Sequence, residues 1–205
     1  MQQKRELIFK KSNKEIELEK DYQNYNLPGR IVTCSIKIYM MVMGEVTLKR
    51  GNRRAMMCKC TYEAYKQNNI KKDPIFLSQK FDIKIKQLCK SQNDFYSKLF
   101  HLQKLKDFPK VHFSAFDLLH DIAEHMNYKG DKYNEMEDMI EKLYNNMDLL
   151  KRIPPREIVI SIVHYYKNKE NDPISLQKTE QKAIIAHTKL VLLTNMIDKA
   201  NNNEL

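Results

Sequence analysis

Apolar residues recur along this chain at three- and four-residue steps, the spacing that stacks side chains on one face of a helix. Ile31, Cys34, Ile38, Met41 and Val42 mark such a face in a helix over 28–46. Pro28 suits its start, where a missing N–H costs nothing. Gly51 is read as the breaker that permits a tight turn. Ala55 to Tyr65 is small and apolar nearly all round, which predicts a buried helix over 53–68. Leu7, Ile8, Ile16 and Leu18 give a weaker pattern, read as a first helix within 1–22 whose start frays. Asp73-Pro74 breaks the run, because the residue before proline avoids the helical region. A short helix over 74–80 follows, with Asp82 as N-cap of a longer one carrying Ile83, Ile85, Leu88, Phe95, Leu99, Phe100 and Leu102. Asp107-Phe108-Pro109 ends it.

The second half repeats the plan. Phe113, Phe116, Leu119, Ile122, Ala123 and Met126 share a face in a helix over 111–126. Gly130-Asp131 turns into a helix with Met136, Met139, Ile140, Leu143, Met147 and Leu150. Ile153-Pro154-Pro155 interrupts, Arg156 to Tyr166 reads as the second buried helix, and Asn171-Asp172-Pro173 breaks again. Thr179 is read as the cap of a last helix running to about Lys199. The stretch Asp73 to Lys80 matches Asp172 to Lys178 after one gap, at an offset of 99 residues. A period that long means tandem domains rather than a solenoid. The expectation is an all-α chain of two five-helix domains, 1–109 and 110–205.

Composition narrows the chemistry. Four Gly in 205 residues supply no Gly-rich loop, which argues against P-loop and dinucleotide sites. Cys34, Cys58, Cys60 and Cys89 form no C-x₂-C pair, so they read as buried free thiols of a reducing, intracellular compartment. No secretory signal and no run long enough to span a membrane is read. His120 and His125 stand five apart, not the four that aims two rings at one metal. No serine sits in a G-x-S-x-G elbow, and Glu135, Glu137, Asp138 and Glu141 read as a solvated face. The reading is therefore not an enzyme.

The net charge of +10 is uneven. Residues 1–110 hold 24 Lys and Arg against 11 Asp and Glu, whereas 111–205 hold 12 against 15. Such asymmetry suits an anionic partner on the first half. Lys49, Arg50, Arg53 and Arg54 sit at the mouth of the first buried helix, and Lys80, Lys84 and Lys86 belong to the helix pair after it. Near the C-terminus, a short helix over 173–178, a turn and a longer helix over 180–199 follow the helix-turn-helix plan. Its core stripe is Ala183, Ala186, Leu190, Leu193 and Ile197, beside a second stripe of Lys178, Lys182, Ile185 and Lys189. Gln181 and Lys182 fall at the N-terminal end, where a recognition helix meets base edges.

The order Leu27-Pro28-Gly29-Arg30-Ile31-Val32, a basic turn with Gly51 and a small-residue helix containing Tyr62 and Tyr65 resembles the first core repeat of transcription factor IIB and its archaeal relatives. The resemblance implies two cyclin-type repeats, promoter DNA and a TATA-binding protein as partners, recruitment of RNA polymerase, and a monomer. It implies DNA contacts from Lys178, Thr179, Gln181, Lys182, Ile185 and Lys189 and from the first-repeat cations. The family's base-contacting arginine falls on Ile185, which puts its usual sequence preference in question. Lys90, Lys98, Lys104 and Lys106 are the implied contacts to the acidic TATA-binding protein or polymerase. No cofactor is expected in this stretch; the family's zinc belongs to a ribbon N-terminal to the core. The Lys-, Asn- and Ile-rich sequence also resembles a large cytoplasmic DNA virus of the asfarvirus kind, which would place it in host cytoplasm, and otherwise the nucleus. The alternatives are a cyclin that activates a kinase and a polymerase-binding scaffold without DNA contact.

Overall fold

The computed structural model describes residues 11–44, 46–109, 111–146, 152–170 and 175–202. It is all-helical, with ten α-helices and no strand among the described residues. The chain divides into two compact units, residues 1–70 with 77–109, and residues 71–76 with 110–205.

The first unit holds α1 (Asn13–Gln23), α2 (Gly29–Met43), α3 (Arg50–Gln67), α4 (Pro74–Lys80), whose first three residues are grouped with the second unit, and α5 (Ile85–His101). Helix α3 packs against α2 and α5 and buries every residue from Ala55 to Thr61. That is the behaviour expected of a helix apolar nearly all round. Ser12 and Glu15 close a capping box on α1, which inserts Leu18 and Tyr22. The Tyr22 hydroxyl donates to the Met57 carbonyl, 3.1 Å away.

Two sequence readings in this unit are corrected. The break between α2 and α3 lies at Gly44, which takes φ of 50° and donates to the Met40 carbonyl. Gly51 instead sits in the first turn of α3; a Cβ there would lie 3.2 Å from the Gln87 amide. From Arg50 onward the basic stretch is therefore helix, with Lys49 extended at the cap position. Asp82 is not the cap of α5: it adopts φ of 49°, and the cap position is Lys84, whose N–H is accepted by the Gln87 side chain at 3.0 Å.

The second unit holds α6 (Ala115–His125), α7 (Tyr133–Asn146), α8 (Pro155–Lys169), α9 (Leu176–Ala183) and α10 (His187–Asn201). Helix α8 packs against α6, α7, α9 and α10. Pro154-Pro155 starts it, with Pro155 as the first helical residue. Ser114 and Asp117 cap α6, four residues later than the apolar pattern suggested, and Phe116 stays 44% exposed. Ser175 caps α9, and Thr179, read as the cap of the last helix, lies inside α9; the last helix, α10, has Ala186 at its cap position and no side-chain cap. Leu7, Ile8, Met147, Leu150 and Asn171 to Ile174, with the first three residues of the second copy of the sequence match, lie outside the described residues.

The two units share one turn in detail. After α4, Asp82 takes the left-handed region, Ile83 is buried, Lys84 is extended and α5 begins. After α9, Ile184 takes the left-handed region, Ile185 is buried, Ala186 is extended and α10 begins. Asp82 and Ile184 stand 102 residues apart, three more than the offset of the local sequence match.

Residues 71–76 pack into the second unit through a polar knot. The Arg156 guanidinium donates to Asp73 at 2.9 Å and to the Ala183 carbonyl at 2.7 Å. The Asp73 N–H donates to Asp121 at 2.7 Å, and Phe76 stacks on His125 at 3.7 Å between ring centres. Burial, with Lys182, Arg156 and Lys72 nearby, lowers the His125 pKa; Asp121 opposes them. A base whose folded pKa is depressed contributes stability that is full above its unfolded value, about 6.5, and lost as pH falls through the folded one. The melting temperature should therefore drop between about pH 7 and pH 5, and drop less in His125→Asn, measured by circular dichroism.

Candidate nucleic-acid interface

The first-unit cations fall into two groups. Lys49 and Arg50 are exposed at the start of α3, and Lys84 and Lys86 are exposed at the start of α5. Gly51 against Gln87 brings these two helix starts together. None of the four makes an ion pair among the described residues, and neither helix has an acidic residue in its first turn. Both helix N-termini add partial positive charge to the same patch.

Arg53, Arg54 and Lys80 behave differently. Arg53 turns inward, 17% exposed, and holds Asp21 at 2.8 Å. Arg54 pairs with Asp82 at 2.9 Å, and Lys80 donates to the Asn26 carbonyl at 3.2 Å. Arg53 and Arg54 are paired within the unit, whereas Lys80 keeps its charge on a backbone carbonyl, so the expected convergence of Lys49, Arg50, Arg53 and Arg54 on one phosphate run reduces to Lys49 and Arg50. The sequence did not separate them, because an inward and an outward arginine on one helical turn look alike.

In the second unit the expected second stripe is taken apart. Lys178 and Gln181 are exposed on α9, but Thr179 is fully buried, its hydroxyl without a partner among the described residues. Ile185 is 6% exposed and belongs to the core with Ala183 and Leu190, so it presents nothing to a base. Lys182 is half-buried, and burial together with Lys167 lowers its pKa. Lys189 is exposed and pairs with Glu157 at 3.0 Å.

The reason is the break at Ile184. The second helix of the pair starts at His187, not at Glu180. Its outward face is His187, Thr188, Lys189, Leu192 and Asn195, with Leu192 52% exposed, and His187 pairs with Glu180. The sequence reading named Lys189 and missed the other four. Ala183 and Leu190 stand seven apart, two helical turns, so the apolar phase runs through the break unaltered.

Lys90 and Lys98 lie along a groove beside α5, while Lys104 precedes a short 3₁₀ turn over Leu105–Asp107 and Lys106 lies within it. Burial pushes the Cys58 thiol up to about 12 and Cys60 well above its ordinary value, far from thiolate chemistry. His120 stacks on Tyr133 and His125 on Phe76, on different neighbours. Among the described residues no three His, Cys, Asp or Glu side chains are grouped to hold a metal, and no helix is long and apolar enough to cross a membrane. Scanned against models of known families and against curated proteins, the chain matches none.

Proposed function

We propose that this chain is a transcription initiation factor of the transcription factor IIB type, which binds promoter DNA together with a TATA-binding protein and recruits RNA polymerase. The observation that carries this reading is the repeated architecture: two units with five helices each, a central buried third helix, and the same helix, left-handed residue, buried isoleucine and helix at the end. It supports the duplicated plan that the resemblance implies. The exposed cations Lys49, Arg50, Lys84 and Lys86, which form no ion pair among the described residues, supply the sequence-independent phosphate term, and the outward face of α10 supplies the side chains that meet base edges.

Fluorescence anisotropy with an A·T-rich promoter duplex over a salt series tests this. Binding should weaken with salt by a log–log slope of about −0.9 per phosphate contact. Reversing Lys49, Arg50, Lys84 and Lys86 to glutamate should weaken it by roughly 1–3 kcal/mol or more and flatten the slope, with little effect on folding because these side chains are exposed and form no ion pair among the described residues. Absence of binding at low salt, with a TATA-binding protein present, defeats the reading.

A further inference from the structure

Four exposed side chains of α10 line up on its outward face. At about 100° per residue, Thr188, Leu192, Asn195 and Lys199 share a stripe about 60° wide. Leu190, Leu193 and Ile197 lie on the opposite side, in the core with α7 and α8. The stripe presents, in order, a hydroxyl with its methyl, an isobutyl group 52% exposed, an amide and an ammonium. Neither Thr188 nor Asn195 spends its side chain on a hydrogen bond among the described residues. The charged groups flanking its first turn are held within the unit, His187 by Glu180 and Lys189 by Glu157. Asp198 is the carboxylate beside the stripe, at its far end. One exposed leucine means little by itself. Here a threonine methyl stands four residues before it and an unbonded amide three after, on one face.

Granted the DNA reading above, on which this rests, we infer that the stripe reads A·T pairs from the major groove, with Leu192 and the Thr188 methyl on thymine methyl groups and Asn195 on adenine. The thymine methyl is the apolar group of the major groove, and adenine offers N7 and N6 to a single amide. Thr188 to Asn195 covers about 10 Å of helix, roughly three base-pair steps of about 3.4 Å. Guanine takes a bidentate arginine or lysine. The stripe has no arginine, Glu157 holds Lys189, and Lys199 lies about 16 Å along the helix from Thr188. A duplex fits this face better than an apolar protein surface does, because its border is cationic. Lys178 and Lys199 are exposed without an ion pair among the described residues, and the first turn of α10 has no acidic residue and no side-chain cap. A helix start of that kind faces phosphates favourably.

The test is anisotropy at low salt with the full chain and three duplexes: the A·T-rich promoter duplex, the same duplex with deoxyuridine for every thymine, and the same with 7-deazaadenine for every adenine. Deoxyuridine removes the methyl alone, and deazaadenine removes the N7 acceptor alone. Losing two buried methyls should weaken binding about tenfold. Losing the adenine acceptor should also cost about tenfold. Leu192→Ala with Thr188→Ser should bind the thymine and deoxyuridine duplexes equally, and Asn195→Ala should bind the adenine and deazaadenine duplexes equally. Melting should stay unchanged in each, because all three side chains are exposed. If the double variant melts early, Leu192→Ala alone replaces it and should still narrow the deoxyuridine penalty. Equal binding of thymine and deoxyuridine duplexes by the unaltered chain overturns the methyl contacts while leaving the DNA reading standing. So does a deoxyuridine penalty that persists in full in the Leu192 variants, which would return this face to other partners. Equal binding of the deazaadenine duplex overturns the role of Asn195. No binding of any duplex defeats the DNA reading, and base reading with it.

Discussion

Glu63→Gln should destabilise the first unit by about 3–5 kcal/mol in urea unfolding followed by circular dichroism, the range for leaving a buried charge without its partner. Glu63 is 1% exposed inside α3 and holds two ammonium groups, Lys59 at 2.5 Å and Lys66 at 3.0 Å. Lys59 is itself 3% exposed and faces the rings of Tyr96, Phe95 and Tyr62 at 4.6, 5.1 and 5.2 Å. Burial lowers the Lys59 pKa even beside Glu63, so without that carboxylate the ammonium has little to repay its desolvation. Lys66 would keep the Pro109 carbonyl, 2.9 Å away, and suffers less. Removing both charges, Lys59→Met with Glu63→Leu, should cost less than Glu63→Gln alone. A second readout comes from Tyr96, whose phenol is pushed up to about 12 by burial and then by Glu63. In Glu63→Gln its ultraviolet titration should move down.

Asp73→Ala should destabilise the second unit by a similar amount, about 3–5 kcal/mol. The Asp73 side chain is fully buried and the Arg156 side chain is 12% exposed. One carboxylate oxygen accepts from the Ile75 N–H at 2.9 Å and the other from Arg156. The substitution therefore removes a helix-start bond and strands a guanidinium that also holds the end of α9 through the Ala183 carbonyl. Burial raises the Asp73 pKa more than Arg156 lowers it, which marks the pair as costly to keep charged. Replacing both by apolar residues should recover much of the loss; full additivity in a double-mutant cycle would contradict the coupling. The same knot means that a fragment starting at residue 110 lacks Asp73 and Phe76 and should melt below the full chain's second unit.

How far the sequence discloses this molecule depends on whether its signals are local. Pro154-Pro155 announces α8, and the all-round apolar composition of Ala55 to Tyr65 announces α3, because each acts on its own few residues. The break between α9 and α10 carries no Gly or Pro. Ile184 takes a left-handed conformation that costs an L-residue about 1–2 kcal/mol, and the burial of Ile185 holds it there. That is a tertiary effect, invisible to propensity. Gly51 misled for the opposite reason: a residue that usually breaks helices sits in one because Gln87 packs against it. The candidate surface shows the same division. Composition locates the positive half, but not that Arg53 turns toward Asp21 while Arg50 faces solvent. Asp73 and Arg156 stand 83 residues apart, and no periodicity links them.

The most direct measurement is hydroxyl-radical footprinting of a TATA-containing promoter, with a TATA-binding protein, with and without this chain. The expected result is new backbone protection flanking the TATA element, weakened when Lys49, Arg50, Lys84 and Lys86 are reversed and restored by lowering the salt. A footprint identical to that of the TATA-binding protein alone, with the chain folded and in excess, would contradict the account.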